Sequence, residues 1–485
     1  MRGVAVLVAL LAGGCASIES PFEAHLASGD EQVSACARWF DALDRTIDAA
    51  GVRDAEDTRV PGFPYLRVNR LLASLRDRAA ASEAGMRSFA GRLAELDLDA
   101  RRFEIDSLPQ WDGPRAAALK RTADCGRVLR ERDLGDARAR AALLARAEVP
   151  DDYSSAQRVL GLYWLTRIPF AHGVRRWEAE MRAVFANDSK DERAVVRYSP
   201  PALPALARET VAGLLARARL DPLGLPELSG REVEMIAAAY APTFELAVLG
   251  DYDRFGELRW RPGSADPEVD ATVPVVYVHA AHTRVGDEVL LQIVYSLWFS
   301  ERPPQGALDL LAGRYDAVVW RVTLSPQGEP LVYDSIHACG CYHQFFPTAR
   351  ALPRPAPGAL EEWAFVPARL PRLAEGERPR VRIASATHYL AGVDVERGAG
   401  SLVRYELRPY DALRALPTPR GGRRSVFAPD GLLPGSERGE RFFFWPMGIA
   451  SAGAMRQWGR QATAFVGRRH FDDADLIERR FRFEP

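Results

Sequence analysis

The chain has 485 residues, 47% of them hydrophobic and 27% charged, with a formal net charge of −1. That balance excludes a disordered or fibrous chain, and a charge so near zero argues against a nucleic-acid partner, which needs a basic face. The length accommodates two or three domains, and Lys120 and Lys190 are the only lysines, so lysine chemistry has few candidates.

At the N-terminus, Met1-Arg2 places one positive charge before the unbroken apolar run Val4–Ala12, and Gly13-Gly14-Cys15 follows. A charged start, a short apolar stretch and a small-residue site make a secretory signal. The run is less than half of the roughly twenty residues that a membrane-spanning helix needs. Leu11-Ala12-Gly13-Gly14-Cys15 resembles the bacterial lipobox, with Leu11 one place further out than in the commonest form. The resemblance implies removal of residues 1–14 and attachment of lipid, palmitate-like acyl chains, to Cys15; two or more chains hold a protein firmly on a membrane. Ala16 and Ser17 follow without an Asp, which by the same analogy favours the outer membrane, facing the periplasm. The expected partners are that membrane, through the anchor, and an envelope protein.

Residues 15–24 read as the tether and 25–235 as a helical domain. Val33, Ala37, Phe40, Leu43 and Ile47 recur at helical spacing, as do Met86, Phe89, Leu93 and Leu96. The stretch from Ala137 to Ala147 has high helix propensity. Pro61-Gly-Phe-Pro64, the run from Pro109 to Pro114, Pro150-Asp-Asp152 and Pro200-Pro201 are breaks. The Arg and Glu runs are expected on solvated faces. Tyr163-Trp-Leu-Thr-Arg-Ile-Pro-Phe170 is aromatic enough to lie against a membrane or a partner, although core packing is the preferred reading.

Residues 236–415 change to strand character. Thr272–His279 and Val289–Phe299 are β-branched and aromatic and should pair across Gly286-Asp287. Tyr315–Leu324, Pro330–Ile336, Arg380–Ala384 and Leu402–Leu407 supply further strands, which together suggest an antiparallel sandwich. Tyr295-Ser-Leu-Trp-Phe299, Gly313-Arg-Tyr-Asp316, Val318-Val-Trp-Arg321, Gly328-Glu-Pro330, Ser335-Ile-His337 and Ser385-Ala-Thr-His388 follow an order that resembles the Vps62-like and necrosis-inducing-protein-like β-sandwiches. The metal-binding His and Glu of the necrosis-inducing family are absent at Arg314–Ala317, so that family's toxic activity is not implied. Residues 416–485 read as a helical extension packed on the β domain, with a helix from about Ile449 to Val466. The fold class is therefore α+β: an N-terminal helical domain, an antiparallel β-sandwich-like domain and a C-terminal helix.

Chemistry concentrates in His337-Ala-Cys339-Gly-Cys341-Tyr-His343. On a strand, these four alternate residues share one face, and soft nitrogen and sulfur donors suit zinc or copper. At roughly 3.3 Å per residue, a straight strand holds the two histidines about 20 Å apart, so one site needs a turn at Gly340. Three readings stay open: a metal site using some of the four, a structural or redox-active Cys339–Cys341 disulfide, and unlinked cysteines in a core. His279 and His388 are candidate additional ligands, and Asp334 is a candidate to orient an imidazole. Glu301, Asp309 and Asp316 surround the same strands. Cys36 and Cys125, both in helical sequence, are candidates for a disulfide in an oxidising compartment. No nucleophile elbow, His-Glu-x-x-His helix or phosphate loop occurs, and no catalytic residue is assigned. The functional expectation is an envelope lipoprotein with a binding or scaffold role. The alternatives are a metal-dependent hydrolase centred on His337–His343, and a thiol-redox or metal-handling protein using Cys339 and Cys341.

Overall fold

Helix α1 (Pro21–Leu26) leads into α2 (Glu31–Ala50), whose first turn is capped by Asp30 accepting from the amides of Gln32 and Val33. The predicted stripe of α2, from Val33 to Ile47, is buried. A hairpin of β1 (Thr58–Val60) and β2 (Phe63–Val68) fills the Pro61–Pro64 break. Short helices α3 (Arg70–Ser74) and α4 (Arg76–Ala80) precede the long α5 (Glu83–Ser107), α6 (Arg115–Gly135) and α7 (Ala137–Arg146). A disulfide joins Cys36 on α2 to Cys125 on α6. Not every charge here is solvated: Arg67 and Arg101 are fully buried against Asp97 and Glu104, with Arg67 Nη2 2.5 Å from Glu104 Oε1. Burial without this pairing would cost far more than a surface charge, so the network fixes the approach of β2 to α5. The computed structural model describes residues 21–187, 195–201, 207–218, 221–358, 360–374, 376–396 and 402–483; Cys15 and the signal segment lie outside them.

Helices α8 (Ser155–Leu160) and α9 (Tyr163–Ala186) leave this layer and pack on the C-terminal part of the chain. The sandwich then begins earlier than the expected boundary at 236. Strand β3 (Val195–Ser199) pairs with β4 (Thr243–Ala247), and α10 (Arg208–Ala218) and α11 (Gly230–Tyr240) contribute Val211, Leu215, Ile236 and Ala237 to the sandwich core. After the hairpin of β5 (Glu257–Trp260) and β6 (Pro267–Asp270) come β7 (Val275–Val285), β8 (Glu288–Arg302), β9 (Gly313–Leu324), β10 (Pro330–His337) and β11 (Gln344–Pro347). Then follow β12 (Ala351–Pro353), β13 (Pro379–Ile383), β14 (Leu390–Val395), β15 (Leu402–Arg404) and β16 (Glu406–Pro409).

Two sheets result, in the orders β11-β10-β9-β8-β7-β16 and β14-β13-β4-β3-β15. The expected hairpin forms with Val285 opposite Glu288. The sheets are antiparallel except where β13 meets β4, β15 meets β3 and β16 meets β7. The single strand expected over 402–407 is two: β15 belongs to one sheet and β16 to the other, with the Tyr405 ring in the core between them.

Strand β8 explains why the larger sheet is covered twice. Leu291, Ile293, Tyr295, Leu297 and Phe299 face the sandwich core, and Val294 and Trp298 face a second core with Tyr277, Val319 and Ile336. A strand apolar on both faces needs a layer on each side. The C-terminal chain supplies the second one through Tyr410, Leu413, Phe427, Leu433, Met455 and Phe471. This layer consists mostly of turns. The helix expected over 449–466 is absent; α12 (Glu440–Phe443) and the C-terminal helix α13 (Leu476–Arg480) flank it. Gly453 shows the reason. Its φ is +86°, and a Cβ there would lie 2.0 Å from Glu440 Oε1, so the backbone turns where a helix would continue. Arg414 ties this layer to the helical domain, its Nε and Nη2 each 3.0 Å from the Asp54 carboxylate.

Two histidines in this region are shifted in opposite directions. For His470, burial alone would lower the pKa, but Asp151 and Asp473 outweigh it and raise the value to about 9. For His343, burial dominates and lowers the pKa to about 3. The His470 contribution is complete below its unfolded value near 6.5 and is lost as pH rises through about 9. The His343 preference for the neutral ring costs stability as pH falls below about 6.5. Urea unfolding should therefore show about 3 kcal/mol lost through His470 as pH rises from about 6.5 to about 9. His470→Asn should flatten that alkaline limb; an unchanged limb would refute the assignment.

Candidate functional site

Strand β10 ends at His337, and the chain reverses over Ala338–Cys341 with the His337 amide donating to the Cys341 carbonyl at 3.0 Å. Gly340 makes the turn. Its φ is +95°, and a Cβ would stand 2.2 Å from the Ala462 carbonyl oxygen, so any side chain collides with the C-terminal layer. The anticipated turn at Gly340 is thus present, but it sends the two histidines to different carboxylates and leaves the two cysteines side by side.

His337 goes to Asp316, its Nδ1 donating to Oδ1 at 3.1 Å. His388 comes to the other oxygen, Nδ1 to Oδ2 at 2.9 Å, and its ring stacks on Phe299 at 3.9 Å. Arg438 completes the cluster, Nη2 lying 3.1 Å from Asp316 Oδ1. All four residues are buried. Burial alone would raise the Asp316 carboxyl, but His337 and the Arg438 guanidinium hold it well below the usual range. His337 itself is pushed down by burial, against the pull of Asp316, and is neutral. Tyr315, Tyr342, Ala386 and His388, at or next to this cluster in the chain or in contact with it, have left-handed backbones, with φ between +53° and +62°. Such conformations cost roughly 1–3 kcal/mol each for non-glycine residues, so the network and its packing hold them.

His343 points elsewhere. Its Nε2 donates to Asp334 Oδ2 at 2.9 Å, and Asp334 is bound in turn by Arg321 at 2.9 and 2.5 Å. Asp334 therefore orients an imidazole, as expected, but that of His343 and not of His337. Cys339 and Cys341 are free and buried, and the Cys341 amide donates to Cys339 Sγ at 3.4 Å. His279 packs against Trp458, the tilted rings 4.9 Å apart, and lies apart from the cluster. Among the described residues, His337, Cys339, Cys341 and His343 do not converge into a set of three metal donors. One such set exists: Glu56, His279 and Asp411, with donor atoms within 4.8 Å of one another. Arg414 already reaches both carboxylates there, at 3.6 and 3.2 Å, and supplies the positive charge a metal would bring. Glu301 is exposed one residue before the end of β8, and Asp309 accepts from the amides of Gln305 and Leu311 in the following turn.

What the turn does build is the wall of a cavity of about 600 Å³. Cys339, Gly340, Cys341, Tyr342 and His343 form one side. Pro169, Phe170, Gly173 and Trp177 of α9 form the opposite one, and Phe365, Tyr389, Phe443, Phe444 and Phe465 close it. Phe444 stacks on Phe465 at 4.2 Å, and Phe170 meets Phe443 and Phe444 at 5.3 Å. His337 is not part of the lining; it sits beneath Tyr342 and Tyr389, ring to ring at 5.0 and 5.8 Å. Trp177 Nε1 and His343 Nδ1 are buried without a hydrogen-bond partner, and neither atom is exposed to the cavity. Sequence reasoning missed α9 and Phe443–Phe444 as site residues; the signal available was the pairing of two aromatic-rich segments, Tyr163–Phe170 and Phe442–Trp445.

No family model, no curated protein and no solved structure matches the chain.

Proposed function

We propose that this chain is a lipid-anchored protein of the cell envelope, tethered through Cys15 at the periplasmic face of the outer membrane, and that it binds an apolar molecule such as a fatty acyl chain. The cavity carries this reading. Its volume of about 600 Å³ and its aromatic walls suit an acyl chain. A hydrolytic reading is less well served, because His337 is locked to Asp316 beneath Tyr342 and does not line the cavity.

Gly173 offers a clean test. It lies on α9 and lines the cavity, and a Cβ added to it would meet no atom within 4 Å, so Gly173→Phe fills the space without disturbing the helix. Titration with a fluorescent fatty acid, cis-parinaric acid, should show binding to the wild type and binding at least about tenfold weaker in Gly173→Phe, as expected when burial of apolar area is lost. Equal affinity in both, or none in either, would overturn the proposal.

One observation supports a second reading, thiol chemistry at the cavity wall: Cys339 and Cys341 are adjacent there. The hydrogen bond with Cys339 and burial push the Cys341 thiol well above its usual range, which opposes reactivity. Iodoacetamide at pH 8 should accordingly leave both thiols of the native chain unlabelled and modify them only after unfolding. Rapid native labelling would favour the thiol reading.

A further inference from the structure

The α8–α9 corner and α12 carry side chains that the fold leaves in solvent. Val159 and Leu160 are 73% and 74% exposed, Trp164 67%, Phe442 75% and Phe443 63%. They form one surface. Gly161 packs so closely on Pro446 that a Cβ would lie 2.6 Å from its Cα, and Phe170 touches Phe443. Trp164 and Ile168 are four residues apart on α9 and share its outer face. A contiguous apolar surface of this kind marks an interaction site, and core packing, the reading preferred for Tyr163–Phe170 from sequence, does not hold at Trp164, Leu165 and Ile168.

The charge around the patch points to its occupant. From Val159 to Trp177 the chain has no Asp or Glu but has Arg167, Arg175 and Arg176, the last paired with Glu180 at 3.0 Å, and Arg441 lies between Glu440 and the Phe442–Trp445 aromatics. An exposed α9 surface of Trp, Leu and Ile with Arg167 and no acid up to Trp177 matches the boundary between acyl chains and anionic headgroups. A protein partner would not require that one-sided charge. Phe443 is both exposed and part of the cavity lining, so the patch adjoins the cavity.

We infer that the surface made by Val159–Ile168 and Phe442–Trp445 docks into the interfacial layer of an anionic phospholipid bilayer, with the cavity opening toward it. The contact is separate from the lipid on Cys15 and does not depend on what the cavity holds.

The test uses the full chain with Cys15→Ser, which removes the attachment site, and flotation with vesicles. Vesicles of phosphatidylglycerol and phosphatidylethanolamine should carry the protein, and vesicles of phosphatidylcholine alone should carry it at least about tenfold less, as expected for an electrostatic contribution from the arginines. Adding Trp164→Glu and Phe442→Glu to Cys15→Ser should lower the anionic-vesicle partition at least about tenfold, since each charge must enter the interface. Because both side chains stand in solvent, the melting temperature should not change. Three results would overturn the inference. The first is partition unaffected by the two substitutions, which would place binding elsewhere, including the N-terminal apolar segment. The second is no flotation with any vesicle. The third is a wild-type dimer that the substitutions dissociate while neither protein floats, which would make the occupant a second copy of the chain.

Discussion

Asp316→Ala should destabilise the protein by about 3–5 kcal/mol, the usual result of removing one partner from a buried charge pair. The carboxylate holds His337, His388 and Arg438 at once. Without it, Arg438 keeps one bond, from Nη2 to the Tyr315 carbonyl at 3.0 Å, while Nε and Nη1 already have none. The guanidinium would then lose its paired counterion and keep only the electrostatic pull of Glu440, to which it makes no ion pair. His388 would also lose the interaction that holds a left-handed backbone at φ +53°. The loss should appear as a lower urea midpoint. Arg438→Met combined with Asp316→Ala should recover part of it, since the orphaned charge goes with the carboxylate. A loss below about 1 kcal/mol in the single variant would mean that Asp316 is not the centre of the network. The same pairing predicts acid sensitivity. The folded-state pKa of Asp316 is depressed, so its contribution is present above the unfolded value of 3.8 and is lost as pH falls through the folded value.

The fold was legible where the determining interactions are local. The α2 stripe has a helical period, and β7 and β8 are joined by a two-residue turn, so both follow from short windows of sequence. Strand β8 was readable as a strand because its apolar run exceeds one face; that its second face is covered by residues 410–471 was not, since nothing near β8 encodes them. The segment 449–466 misled because Ala450, Ala454, Trp458, Ala462 and Phe465 mimic a helical period. Its conformation is set by distant partners: the Arg456 amide bonds the Ala338 carbonyl at 3.2 Å, and Leu433 bonds Met455 at 2.9 Å. Strand β3 was hidden for the same reason. Its five residues gain strand character only from β4 and β15.

The site divides in the same way. The alternation His337, Cys339, Cys341, His343 correctly singled out a special segment, and Gly340 correctly implied a turn. The pattern is silent about partners, however, and the partners assign the roles. Asp316 and His388 claim His337, Asp334 claims His343, and α9 makes the two thiols part of a cavity wall. His388 does join His337, as a second donor to one carboxylate, whereas His279 goes to Trp458. Alternation on a strand cannot distinguish four ligands of one metal from four residues of which the next turn separates the two histidines.

Replacing both Cys36 and Cys125 with Ser should remove about 4 kcal/mol of stability. The two cysteines are separated by 89 residues, and in the chain-entropy account closing a loop of that length costs the unfolded state about 4–5 kcal/mol. Each Ser also puts a hydroxyl where Cys36 and Cys125 are buried against an apolar core that includes Phe40 and Leu129. The effect should be largest in the helical domain, because the bond links α2 to α6 and nothing in the sandwich. Dithiothreitol should lower the melting temperature of the wild type and leave the double variant unchanged; equal sensitivity would show that another cysteine carries the effect. The measurement also bears on location. A chain that depends on this bond folds to full stability only where thiols are oxidised, and expression without residues 1–14, in a reducing cytoplasm, should yield protein with the lower melting temperature of the double variant.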